Sequence, residues 1–209
     1  MKKIVIFDMD GTLIDSKKDI TISINYVRKK NHNLPSLSEE FIVEAINMEV
    51  RNLPELFYNT KVYETRDREL FERHYKEQCT QNPYLYEGIL ELLIQLKKEG
   101  VYLSVATNAP TVFAKTMLSH LGVAKFFDLI VGADRVHASK PNPAMLNYIL
   151  SHYDYNAMKD SAWMIGDNSK DMQSAANAHI KSIFAAWGFS ASAEHPTVVK
   201  NPKEVLENV

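Results

Sequence analysis

Asp8 and Asp10 follow directly on the apolar run Ile4-Val5-Ile6-Phe7 and are followed in turn by Gly11-Thr12-Leu13. The run predicts a buried parallel strand, so both carboxylates arrive where that strand stops. Side chains alternate along a strand, and the two acids share a face only while the backbone stays extended. Gly11 predicts a turn instead. Such a turn aims the Asp8 carboxylate and the Asp10 backbone carbonyl at one point and leaves the Asp10 side chain free for a second task. Two acids crowded at a strand end need a cation or a shared proton. The chemistry suggested is metal-dependent and built on a nucleophilic aspartate.

Ligand sites of open α/β sheets lie beyond the carboxyl ends of the strands. That rule picks out Thr107 and Asn108 after the run at residues 101–106, and Gly166 and Asp167 after residues 162–165, with Asp171 one helical turn on. Lys140 precedes Pro141-Asn142-Pro143 in a connection that can reach the same rim. Four carboxylates, a hydroxyl and an ammonium suit an oxyanion bridged to a divalent cation. Each piece alone has a plainer reading. Asp-Gly is a common turn, Thr107 could cap the helix that has Pro110 in its first turn, Lys140 could be a solvated lysine, and Asp167 and Asp171 could cap a helix. Together and in this order, the chemical reading is the stronger one. The seven histidines show no metal-ligand spacing, and Cys79 sits in an amphipathic stretch that favours a buried thiol over a nucleophile.

Positioning these residues requires alternating strands and helices. From Pro83 onward, helical patterns at residues 89–98, 110–121, after 143 and around Met172, Ala175 and Ala176 alternate with strand patterns at 101–106, 129–131, 162–165 and 180–185. Such alternation predicts right-handed βαβ units and an α/β fold, a doubly wound parallel sheet with a Rossmann-like core. Residues 16–82 read differently, with no convincing strand. Ile20, Ile24 and Val27 recur at helical spacing, Ser36-Leu37-Ser38-Glu39 has the form of a capping box, Asn52-Leu53-Pro54-Glu55 starts a short helix, and residues 65–80 form a charged amphipathic helix. The expected organisation is a core of residues 1–15 and 83–209 with a helical insertion at 16–82. A terminal helix is expected at 202–208.

Composition narrows the function. With 209 residues the chain can bury one substantial core plus a smaller lobe. Its formal net charge of −2 offers no basic field, so neither nucleic acid nor an anionic membrane is an expected partner. One cysteine excludes an internal disulfide framework and fits a reducing compartment. The apolar run after Met1-Lys2-Lys3 is only four residues long before Asp8, too short for a signal peptide, and no stretch approaches transmembrane length. A cytoplasmic protein, monomeric or weakly homodimeric, is expected.

The chain resembles the haloacid dehalogenase superfamily of phosphohydrolases, in its phosphoglycolate phosphatase-like branch. Four ordered motifs carry the resemblance: Asp8-Met9-Asp10-Gly11-Thr12-Leu13, Thr107 in Ala106-Thr107-Asn108, Lys140 in Lys140-Pro141-Asn142-Pro143, and Gly166-Asp167-Asn168-Ser169-Lys170-Asp171. The dehalogenases themselves lack an acid at the position of Asp10, so phosphoryl chemistry is implied. The resemblance implies that Asp8 forms an aspartyl phosphate, that Asp10 is the general acid and base, and that Thr107, Asn108 and Lys140 hold the phosphoryl group. It implies Mg²⁺ bound by Asp8, the Asp10 carbonyl and Asp167, with Asp171 binding it too or orienting its water or Lys140. It also implies that residues 16–82 form a mobile cap, in which Arg51 is the candidate cation for a second anionic group of the substrate. The substrate expected is a small-molecule phosphate ester. A phosphosugar mutase of the β-phosphoglucomutase kind, a nucleotidase or pyrophosphatase, and a catalytically silent binding module are the competing readings. Two departures stand out: Ala178-His179 where relatives usually carry Gly, and a stretch at 44–53 without the glycines many relatives have there.

Overall fold

A computed structural model of the chain describes residues 1–48, 50–190 and 195–209. The chain divides into two compact units, residues 1–15 with 85–209, and residues 16–84, so the second boundary falls at 84/85 where the sequence suggests 82/83. The chain opens with β1 (Lys3–Phe7) and the short β2 (Ile14–Asp15). The helices α1 (Lys17–His32), α2 (Glu39–Asn47), α3 (Leu53–Tyr58) and α4 (Thr65–Gln78) follow. Next come β3 (Tyr84–Leu85), α5 (Ile89–Lys98), β4 (Tyr102–Thr107), α6 (Thr111–His120) and β5 (Leu129–Gly132). The chain closes with α7 (Ala144–His152), β6 (Ser161–Gly166), α8 (Ser169–Asn177), β7 (Lys181–Ala185) and β8 (Val198–Val199).

Among the described residues six strands form one sheet in the order β5-β4-β1-β6-β7-β8, every pairing parallel. From β1 the chain winds outward through β4 and β5, then returns beyond β1 to wind outward through β6, β7 and β8. The winding reverses between β1 and β6, the crevice where such sheets bind ligands. Ile4, Val5, Ile6 and Phe7 are all fully buried, because a central parallel strand is covered on both faces. On one face Ile4, Ile6, Ala162 and Met164 pack with Met145, Leu146 and Ile149 of α7 and Ala175 of α8. By alternation Val5 and Phe7 point to the other face, where the Phe7 ring meets Phe127 edge-on at 6.4 Å.

The second unit has its own core of Ile24, Val27, Ile42, Ala45, Phe57, Tyr58 and Leu70, and Cys79 is fully buried. Asp19 joins its two ends: Gln78 Nε2, Asn82 Nδ2 and Asn82 N donate to its carboxylate at 2.7, 2.6 and 2.9 Å. Two expectations need correction. The cap of α2 is Ser38, whose hydroxyl accepts from Phe41 N, not Ser36. Pro202–Glu207 is a 3-10 turn rather than an α-helix, since six residues with one buried aliphatic anchor, Val205, give little to propagate on. The strands β2, β3 and β8, two residues each, are too short to leave a periodic signal. His179, in the Ala178-His179 departure, has φ +55°, a conformation that favours glycine. No helix among the described residues is long and apolar enough to cross a membrane.

Candidate active site

The turn after β1 is built on one carbonyl. Met9 O accepts N–H groups from Thr12, Leu13 and Ile14 at 3.3, 2.9 and 3.0 Å, while Gly11 N donates to Ile14 O at 2.9 Å. Asp8 still belongs to the sheet, its N–H donating to Ile165 O of β6 at 2.8 Å. Gly11 has φ +87°, and a Cβ there would strike the Asp167 carboxylate. Glycine is required twice over, by conformation and by contact.

Lys140 is the hub. Its side chain is buried, and Nζ donates to Asp8 Oδ1 at 2.7 Å, Asp171 Oδ1 at 2.6 Å and Ala106 O at 2.6 Å. An ammonium has three protons, and all three are used. Burial works against its charge, but Asp171 and Asp8 outweigh burial and hold the lysine protonated well above its ordinary range. Its main chain is gripped by Asn108, whose Oδ1 accepts from Lys140 N at 3.0 Å and whose Nδ2 donates to Lys140 O at 3.1 Å.

The acids after β6 do two jobs. Asn168 caps α8, and Asp171 Oδ2 accepts back from Asn168 N at 3.2 Å in a capping box. The other Asp171 oxygen holds Lys140, so one residue both caps α8 and pairs with the lysine. Burial pushes Asp171 up to about 7, with Lys140 opposing. Asp167 receives Thr12 Oγ1 on Oδ1 at 3.2 Å and Phe189 N on Oδ2 at 2.7 Å. Burial, then Asp8 and Asp171, push Asp167 up to about 8. Carboxylate oxygens of Asp8, Asp167 and Asp171 lie within 4.8 Å of one another. With all three carboxyls ionised, as a bound cation would favour, three carboxylates against one ammonium carry two net negative charges, the amount a divalent cation balances. The donor set is oxygen only, which suits a hard cation such as Mg²⁺.

The structure therefore brings Asp8, Lys140, Asp167 and Asp171 together. Thr107 ends β4 just before Asn108 and is buried, its hydroxyl accepting from Ala109 N at 3.1 Å. Asp10 lies in the turn, bridged to Ile14, and its carboxylate is outside the three-acid group. Arg51 belongs to the second unit, where Nη1 donates to Ile46 O and, at 3.1 Å, to Met48 O, bracing the end of α2; Glu49, within the same 44–53 stretch, lies outside the described residues. Sequence reasoning assigns no role to Thr12, to the Ala106 carbonyl or to the segment Trp187-Gly188-Phe189. Trp187 Nε1 donates to Thr12 O at 2.9 Å, and a Cβ on Gly188 would strike Gly11 O and the Asp167 Cβ. The signal was available: this segment lies just past the carboxyl end of β7, where the same strand-end rule applies.

A family model described as haloacid dehalogenase-like hydrolase matches residues 5–185. The chain belongs to this family and is a hydrolase of that class. Among curated relatives, a phosphoglycolate phosphatase of Colwellia psychrerythraea is 29% identical over 198 residues, covering 90% of this chain and 86% of that one. An N-acetylmuramic acid 6-phosphate phosphatase of Pseudomonas aeruginosa is 29% identical over 215 residues, covering 98% and 93%. Among solved structures, a predicted phosphatase from Clostridium acetobutylicum superposes with a TM-score of 0.80 at 27% identity, covering 99% of both chains. One from Haemophilus somnus, described as a predicted phosphoglycolate phosphatase, reaches 0.84 at 24% identity and covers 99% and 97%, a likeness of fold.

Proposed function

We propose that this hydrolase removes phosphate from a small-molecule phosphate monoester through an aspartyl phosphate on Asp8. The observation that carries the reading is the Lys140 ammonium bonded to both Asp8 and Asp171, with Asp167 beside them at the reversal point of the sheet. An Asp8 oxygen attacks phosphorus, and the bond from phosphorus to the ester oxygen breaks while Asp10 gives that oxygen a proton. Water then attacks the phosphorus of the acyl phosphate, Asp10 takes its proton, and inorganic phosphate leaves with Asp8 restored. Thr107 and the backbone of residues 8–10, rather than the N–H groups at 11–14 that close the turn, hold the phosphoryl oxygens as charge spreads. Lys140, its protons already committed, orients Asp8 and Asp171 and offsets their charge rather than reaching for phosphate. Asp8, the Asp10 carbonyl and Asp167 would hold Mg²⁺, with Asp171 beside it, and the ion when bound offsets repulsion between nucleophile and phosphate.

The test is phosphate release from a panel of phosphorylated metabolites with and without Mg²⁺, phosphoglycolate and N-acetylmuramic acid 6-phosphate included because two relatives carry those names. Release that needs Mg²⁺, with label from the ester trapped on Asp8, is expected. No release from any ester would overturn the reading, and label recovered in a sugar bisphosphate would replace hydrolase with mutase.

A further inference from the structure

We infer that Asn108 is the positioning residue for Lys140 rather than a ligand of the substrate, an inference that rests on the proposed hydrolase reading. Asn108 stands immediately after β4, and the end of that strand grips Lys140 at both of its ends. Ala106 O accepts a hydrogen bond from Nζ at 2.6 Å, while the Asn108 amide pairs with the lysine main chain, accepting from N at 3.0 Å and donating to O at 3.1 Å. The side-chain amide here stands in for a neighbouring peptide, presenting one acceptor and one donor in a plane. Asp would offer acceptors only and would set a carboxylate against the Lys140 carbonyl. Gln would carry the same head one methylene further out.

The need for this grip lies in the segment itself. Lys140 precedes α7 in a stretch with no helix or strand of its own, so its backbone groups must find partners elsewhere. Further along, Asn177 Nδ2 donates to Pro141 O at 3.1 Å and Ser174 Oγ to Asn142 O at 3.3 Å, both from α8. The segment is thus stapled on one side to the element that ends in Thr107 and on the other to the element that carries Asp171. Asn108 is the staple at the lysine itself, and its oxygen and one of its N–H groups are committed to it. Release of that staple frees Nζ to drift from Asp8 Oδ1, and a displacement of about 1 Å at a reacting group costs on the order of a hundredfold in rate.

A double-mutant cycle tests the assignment on whichever ester the protein hydrolyses. Asn108→Ala should lower kcat at least about tenfold with KM within about threefold, and the Asn108→Ala, Lys140→Ala double variant should be no more than about twofold worse than Lys140→Ala alone. Losses that multiply, or a raised KM at unchanged kcat, would make Asn108 an independent substrate ligand and overturn the inference. Asn108→Asp, which keeps the acceptor and loses the donor, serves if the alanine variant does not fold and should show the same split. A second arm needs no substrate: hydrogen exchange at the Lys140 amide, which donates to Asn108 Oδ1, should quicken at least about tenfold in Asn108→Ala. Unchanged exchange overturns the staple whatever the reaction. A wild-type protein that hydrolyses no ester, with exchange quickened as described, would instead overturn the hydrolase reading and leave the staple established.

Discussion

Asp167 is held by donors from near opposite ends of the chain, Thr12 Oγ1 and Phe189 N, and both of its oxygens are thereby aimed. Gly188 makes this possible, because its missing side chain lets the segment after β7 close on Asp167 and Gly11 together. Gly188→Ala should cost roughly 1–3 kcal/mol, since its Cβ would meet backbone and a buried side chain that cannot swing aside. Denaturant unfolding of the variant measures it, and an unchanged midpoint would contradict the close approach. Asp8→Asn should lower turnover by about a thousandfold or more, because an amide oxygen is a poor nucleophile. Kinetics of Mg²⁺-dependent phosphate release, with circular dichroism to confirm the fold, decide it. Residual activity within a few-fold of wild type would remove Asp8 from the reaction.

At the scale of elements, the site residues other than Lys140 sit where a strand ends and a helix or turn begins, so caps and chemistry compete for the same atoms. Asp171 serves both. At α6 the division is cleaner. Pro110 cannot cap, and Asp134 reaches across to take Thr111 N at 2.6 Å and Thr111 Oγ1 at 2.7 Å. Burial works against ionisation of Asp134, but these hydrogen bonds outweigh it, and its pKa lies below the ordinary value. A lowered carboxyl pKa stabilises the fold above the unfolded-state value, and that stability is lost as pH falls through the folded-state value. Asp134→Ala should therefore cost about 1 kcal/mol at neutral pH, and clearly less once acid has protonated the wild-type group. Thermal melts of both proteins from neutral pH to about pH 3 measure it. Equal losses at both ends of that range would contradict the assignment. Such long-range caps are hard to read from sequence. The strand-end rule finds Asp8, Thr107, Asn108, Asp167 and Asp171 because it needs only apolar runs and the residues next after them. Asn108 holding Lys140, or Phe189 N–H holding Asp167, depends on loops whose path no periodicity announces. Ser38 in place of Ser36 shows the same weakness at short range, where two serines fit one cap pattern.

For the molecule as a whole, the three-acid cluster is a local cost that the proposed cation would offset. Asp8, Asp167 and Asp171 crowd around a single lysine. Asp167→Asn relieves that crowding and can keep both hydrogen bonds, its oxygen accepting from Phe189 N and its amide donating to Thr12 Oγ1. Without metal this variant should melt at least as high as wild type. With saturating Mg²⁺ wild type should gain about 2.7 kcal/mol at a hundred times its dissociation constant, and the variant far less. Calorimetry with and without Mg²⁺ measures this, and equal gains would contradict the role of Asp167. The doubly wound core was legible from alternation alone, and the helical insertion from its absence. The paired strands β2 and β3 were not, although the chain leaves the core beside one and returns beside the other. Tyr86 N also donates to Leu13 O at 3.2 Å, closing the same neck. Because entry and exit are tied there, the sheet register is blind to how much chain is spliced between residues 16 and 84. Descendants of such a core can lengthen, trim or exchange the spliced segment while Asp8 and Thr107, which flank it in sequence, keep their stations.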